Sequence, residues 1–127
     1  MKFQPDFQEG VNTIARHDGA SIWVAGRQHS GNVVVPAKGE IRLWSAPDFA
    51  GLEPQHFDEL AASAPELVIF GSGGRLRFVA PALLRGLIER RIGIETMDTA
   101  AACRTFNVLI SEGRSVVVAL LMETSPS

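Results

Sequence analysis

The residues best placed to do chemistry lie between Glu66 and Leu109. Gly71-Ser72-Gly73-Gly74 follows the apolar run Leu67-Val68-Ile69-Phe70. A glycine-rich turn after a buried strand can direct backbone N–H groups at an anion. The pattern stops short of a phosphate loop. No G-x-x-x-x-G-K-[ST] is present, and G-x-G-x-x-G breaks at Leu76. The next helical stretch starts only near Pro81, too late to aim its N-terminus from this loop. A tight structural turn is therefore the favoured reading, and a small-molecule or anion site is the alternative. Ser72 recurs in the position of a nucleophile elbow, but G-x-S-x-G needs a glycine where Phe70 stands, and only Gly74 fits. His17, His29 and His56 are scattered without metal spacing, and Cys103 is the one cysteine. No metal site and no cofactor are implied.

A second group of polar residues follows Ile94-Glu95-Thr96-Met97. Asp98 or Thr99, between a strand and a helix, can cap the helix with a side-chain oxygen. Either can also line a cleft at the strand ends. Cys103, in the first turns of that helix, reads as a small buried apolar residue. Arg104 and Asn107 are three apart and share a helix face. Asn107 stands on an apolar segment, so its amide must find partners; it is expected to tie the helix to a neighbouring loop. Arg104 with Arg75 or Arg77 would make an anion pocket, although solvated arginines are the favoured reading. The candidate ligand-binding set is Gly71, Ser72, Gly73, Asp98, Thr99, Arg104 and Asn107, with no catalytic residue among them. Without a complete catalytic signature, the chain leans away from an enzyme.

The elements that would position this set differ between the two halves. In the first half, Thr13–His17 and Ala20–Ala25 flank Asp18-Gly19, a hairpin signal for a type I′ turn. Val33–Val35 precedes Pro36, and Glu40–Trp44 alternates, placing Ile41 and Leu43 on one side and Glu40, Arg42 and Trp44 on the other. This predicts four short antiparallel strands. Trp44–Gly51 reads as a loop inside the domain.

In the second half, Pro54–Ala62 is a short helix with Phe57, Leu60 and Ala61 on one face. Leu67–Phe70 is a strand covered on both faces. Pro81–Arg91 is a second helix with a buried stripe of Leu84, Leu87 and Ile88 and a stop at Gly93. Ile94–Met97 is a strand, parallel to 67–70 by the crossover rule. A third helix runs from Asp98 or Thr99 to about Ser111, with Ala102, Phe106 and Leu109 inward. Ser115–Met122 is the last strand, its direction open. Residues 1 to 10 are expected to be extended and weakly held, and 123 to 127 to fray.

The fold class is therefore α/β: a three-layer arrangement with a central mixed sheet, βαβ crossovers in the second half and an added antiparallel hairpin layer from the first. The chain reads as one domain over residues 1–127, with an ordered core of about 7–122. A net charge of −2 speaks against a nucleic-acid binder. No apolar run reaches the ~20 residues that span a bilayer, so membrane insertion is not expected. The lone cysteine and an N-terminus without a secretory segment point to the cytoplasm.

The blocks Leu67–Gly73, Gly93–Leu109, Glu112-Gly113-Arg114 and Val117–Leu121 resemble a small family of domains of unknown function found in bacteria, archaea and mitochondria. It includes the mitochondrial complex I assembly factor 3 and the adipogenesis-associated domain-containing protein. The stretch from Met97-Asp98-Thr99 to Asn107-Val108-Leu109 is its most specific part. The resemblance implies a compact three-layer α/β fold and an assembly or scaffold role, and it implies no catalytic residues. The expected function is a protein-interaction or assembly-factor-like module with a protein partner, as a monomer or weak homodimer through an exposed Trp23, Trp44 or edge strand. The alternative is a small-molecule or anion-binding protein or small enzyme. Its site would lie between the Gly71–Gly74 loop and the start of the third helix.

Overall fold

The computed structural model describes residues 10–122. The expectations for the first nine residues and for 123–127 fall outside the described residues. Three strands, β1 (Ile14–His17), β2 (Ser21–Val24) and β3 (Arg27–Ser30), form an antiparallel sheet in that order. A second sheet has the order β5-β4-β8-β6-β7. Its members are β4 (Val33–Pro36), β5 (Arg42–Leu43), β6 (Leu67–Gly71), β7 (Gly93–Met97) and β8 (Val116–Leu120). The described residues also form three α-helices: α1 (Pro54–Asp58), α2 (Arg85–Glu89) and α3 (Thr99–Ser111). The fold is the mixed α/β arrangement expected.

The five-stranded sheet divides two apolar cores by the period-2 alternation of its side chains. Val35, Ile69 and Val118 face α3 and the three-stranded sheet, meeting Phe106, Ile110 and Ile22. Val34, Phe70 and Ala119 face the other way, toward Trp44, Phe57, Leu60 and Leu87. Strands β6 and β8 are buried throughout, which explains their uninterrupted apolar sequences. β6 is parallel to both β7 and β8, while β8 is antiparallel to β4. The final strand thus joins the crossover half to the hairpin half.

Several local expectations are corrected. The Asp18-Gly19 turn is not type I′, for neither residue has positive φ. Residues 18–20 form the connection, and the Asp18 carboxylate accepts the N–H groups of Ala20 and Ser21, each at 2.8 Å. The paired positive φ angles lie instead at Ala25 (52°) and Gly26 (79°), between β2 and β3. The expectation of four early strands missed β3, whose Arg-Gln-His-Ser sequence carries no apolar alternation.

Trp44 is buried and Leu43 is 72% exposed, so the two point to opposite sides as the alternation requires, but Trp44 is not the exposed surface expected for a homodimer. The strand ends at Leu43, so the indole turns inward and donates from Nε1 to the His56 carbonyl at 3.0 Å. Trp23 is half-buried, with the Arg16 guanidinium 3.9 Å from its ring centroid. The Pro81–Arg91 stretch begins as a 3₁₀ turn over Pro81–Leu84, which rotates the stripe: Leu87 is buried and Ile88 is 57% exposed. The helix stops at Arg91 (φ 59°), not at Gly93. There Arg91 N–H donates to the Ile88 carbonyl and Ile92 N–H to that of Leu87, a Schellman pattern, and Gly93 already opens β7.

Candidate functional site

The loop after β6 is held from three sides. Ser72 extends the strand, its N–H donating to the Met97 carbonyl at 2.9 Å. Its hydroxyl lies 2.7 Å from the Arg75 carbonyl and accepts the Arg77 N–H at 3.0 Å. The Arg77 guanidinium folds back to donate to the Ser72 carbonyl from Nε and Nη2, at 3.1 and 2.6 Å. The same guanidinium stacks over Phe49, 4.6 Å from the ring centroid. Ser72 is fully buried, and its hydroxyl organises the loop.

The start of α3 locks onto this loop. Thr99 N–H donates to the Gly73 carbonyl at 2.9 Å, and Gly73 N–H donates to Thr99 Oγ1 at 2.9 Å. The Thr99 hydroxyl donates in turn to the Leu121 carbonyl at 2.8 Å, while Leu121 N–H donates to the carbonyl of Gly71. One threonine therefore joins the ends of β6, β8 and α3. Gly71 allows that approach. A Cβ there would stand 2.8 Å from Leu120 Cδ2, 3.0 Å from Thr99 Oγ1 and 3.2 Å from Ala102 Cβ. Asp98 is the N-cap, its carboxylate accepting the Ala101 N–H at 2.8 Å.

A cleft of about 330 Å³ opens beside this clasp, at the carboxyl ends of β6 and β8. Gly73, Asp98 and Thr99 of the sequence-derived set line it. Gly71 and Ser72 lie buried beneath, and Arg104 is exposed on α3 away from the lining. Asn107 is engaged elsewhere: its side chain accepts from Ile14 N–H at 2.9 Å and donates to the Ile14 carbonyl at 2.8 Å. It thus copies a strand pairing and ties α3 to β1 rather than to a loop. Cys103 is buried, and burial pushes its thiol up to about 11 against an opposing pull from Arg104. A thiol in that state is inert near neutral pH.

Sequence reasoning missed His17 and Asp18, which reach the cleft from the first hairpin, and Leu121 and Met122, which form its other wall. No local signal could have found them, since the hairpin arrives only through tertiary packing. None of Arg75, Arg77 and Arg104 lines the cleft; Arg77 lines a neighbouring one with Asn32, Asp48 and Phe49. The charged groups at the mouth are the Asp18 and Asp98 carboxylates, beside His17. Backbone N–H donation from Ala20 and Ser21 holds the Asp18 carboxyl below its ordinary range. Such a cleft can accept hydrogen bonds. None of its described lining residues is a serine or cysteine, and the Thr99 hydroxyl is engaged with Gly73 and Leu121. Among the described residues no group of His, Cys, Asp and Glu could hold a metal ion. No helix among them is long and apolar enough to cross a membrane.

The comparisons with known proteins bear on this arrangement. The family described as "Protein of unknown function (DUF498/DUF598)" matches residues 14–121. The NADH dehydrogenase [ubiquinone] 1 alpha subcomplex assembly factor 3 of Bos taurus is 34% identical over 80 residues, covering 61% of this chain and 44% of that protein. The chain therefore spans less than half the length of that curated relative. A crystal structure from Bordetella parapertussis superposes with a TM-score of 0.84 at 33% identity, covering 90% of this chain and 98% of that one. A solution structure of a Mth938-like domain from Bordetella pertussis gives 0.80 at 30% identity, covering 97% and 93%.

Proposed function

This chain belongs to the DUF498/DUF598 family of proteins of unknown function, and from that premise we propose that it is an assembly-factor-like module that docks a protein partner on the segment Leu76–Ala80. The observation that carries this reading is an apolar surface on a pinned backbone. Residues 76–80 belong to no helix or sheet. Leu76 is 49% and Phe78 72% exposed, while Arg77 and Val79 turn inward. Arg77 and Ser72 fix the segment, so little ordering entropy opposes docking. A rigid aromatic with an aliphatic neighbour is the kind of anchor that dominates interface energetics. The exposed Arg75 favours a partner whose apolar groove is rimmed by carboxylates. The assembly-factor relative is consistent with a protein partner.

The test is photo-crosslinking from a probe at position 78 in native lysate, with position 43 as control, because Leu43 is equally exposed. A discrete adduct at 78 but not at 43 is expected. The Leu76→Ser/Phe78→Ser pair should cut recovery of that partner tenfold or more, equivalent to about 1.4 kcal/mol, with stability changed by less than about 0.5 kcal/mol. No adduct, or recovery indifferent to the pair, overturns the reading.

A second reading uses the cleft at the strand ends. It is favoured by its position, where open α/β sheets take ligands. With two carboxylates and a histidine at the mouth, the ligand would be a donor-rich small molecule such as an amine. Asp18→Asn with Asp98→Asn keeps both backbone-accepting oxygens and removes both charges. The reading expects amines to raise the melting midpoint of the wild type and not of this variant. A midpoint unmoved by amines, or moved equally in both proteins, rejects it.

A further inference from the structure

A second cavity, of about 400 Å³, lies at the opposite end of the five-stranded sheet, near the amino ends of β6 and β8. We infer that it binds an organic monoanion: a carboxylate at its rim, with a short apolar chain directed between Val11, Ala37 and Ile110. The volume falls within the ordinary range for small-molecule sites.

The charge of the lining selects the ligand class. Among the described residues that line it, Lys38 and Arg114 are the charged ones and none is a carboxylate. Both cations stand on fixed backbone. The Lys38 loop is gripped by Asn12, whose Nδ2 donates to the carbonyls of Pro36 at 2.8 Å and Gly39 at 3.0 Å. Asn12 N–H donates to the Ala37 carbonyl and Ala37 N–H to that of Val116. Arg114 sits at the turn between α3 and β8, where its N–H donates to the Leu109 carbonyl at 3.1 Å. Its Nη2 meets Glu66 Oε2 at 3.2 Å. A guanidinium has five N–H donors, so one such bond leaves others for a carboxylate. The floor is apolar: Ile110 is a core residue, and Val11 and Ala37 pack against the same core. An anion without an apolar body would leave that floor wet, and an apolar body without a charge would offer nothing to Lys38 or to the Arg114 donors that Glu66 leaves over.

The probe is octanoate, titrated into the 15N-labelled full chain, with octanol and inorganic phosphate as comparators. Saturable shifts are expected at the amides of Ala37, Lys38, Gly113, Arg114 and Ser115. Octanol and phosphate should each bind at least tenfold more weakly. Lys38→Ala/Arg114→Ala should lose octanoate binding tenfold or more while keeping a dispersed spectrum. Lys38→Gln alone, at an exposed position, should weaken it several-fold if the double variant does not fold. Glu66→Gln, which releases Arg114 from its partner, should bind octanoate at least as tightly as the wild type. Absence of saturable shifts, equal binding of octanol or phosphate, or unchanged binding by the Lys38 and Arg114 variants overturns the inference.

Discussion

Phe70→Ala is expected to destabilise the fold by about 3–5 kcal/mol, the range for truncating a buried phenylalanine. Phe70 is fully buried at the centre of an aromatic cluster. Its ring centroid lies 5.5 Å from Phe57, 5.9 Å from Trp44 and 6.4 Å from Phe49. The first two contacts are edge-on and the third is stacked, geometries that favour the ring quadrupole. Alanine removes the shared partner of three rings carried by the 44–51 loop and α1, so the site cannot collapse without moving both. A domain of this size has only ~5–15 kcal/mol of total stability. The variant should therefore unfold at a much lower urea midpoint with an unchanged slope. Phe70→Leu, which keeps most of the volume, should lose less than half as much. A loss below about 1.5 kcal/mol for the alanine variant would show that the cluster does not hold the sheet to α1.

The same residue shows why the second half of the fold was legible and much of the first was not. Leu67–Phe70 is covered on both faces, so its sequence is a continuous apolar run that admits few alternatives. The cap at Asp98 and the end of α3 at Ser111 were legible for a related reason, since both are set by local backbone needs. The hairpin layer is thin and half-wet. β3 has no buried residue, so nothing in its sequence distinguishes it from a loop. The burial of Trp44 was not legible because the indole is recruited by Phe57, Phe70 and the His56 carbonyl, all distant from the strand it follows.

The candidate site divides along the same line. Gly73, Asp98 and Thr99 were visible because a strand end and a helix start announce themselves locally. His17 and Asp18 were invisible because β1 is carried to α3 by Asn107, across 93 residues of sequence. Arg104 and Asn107 share a helix face as their spacing required, yet one is exposed and the other is bound to β1. Spacing fixes a face; it does not say what the face meets.

Thr99→Val carries the second large expected effect, about 3 kcal/mol of lost stability concentrated at the strand-end cleft. Valine matches threonine in shape, so the packing against Gly71 and Ala102 is retained. What disappears is a hydroxyl that accepts from Gly73 N–H and donates to the Leu121 carbonyl, at 2.9 and 2.8 Å in a buried position. Each stranded backbone group costs roughly 1–3 kcal/mol. Thr99→Ser keeps the hydroxyl and removes only a methyl group, worth about 1 kcal/mol. The ordering of the two variants therefore separates hydrogen bonding from packing. Amide exchange locates the effect: the Gly73 N–H should lose protection by a hundredfold or more in the valine variant and keep most of it in the serine variant. Protection at Phe106 and Val118, deep in the core, should fall only by the global loss in stability. If serine proves as damaging as valine, the clasp is held by packing on Gly71 rather than by the Thr99 hydroxyl. The mouth of the cleft would then owe its shape to the close approach of α3 and β6.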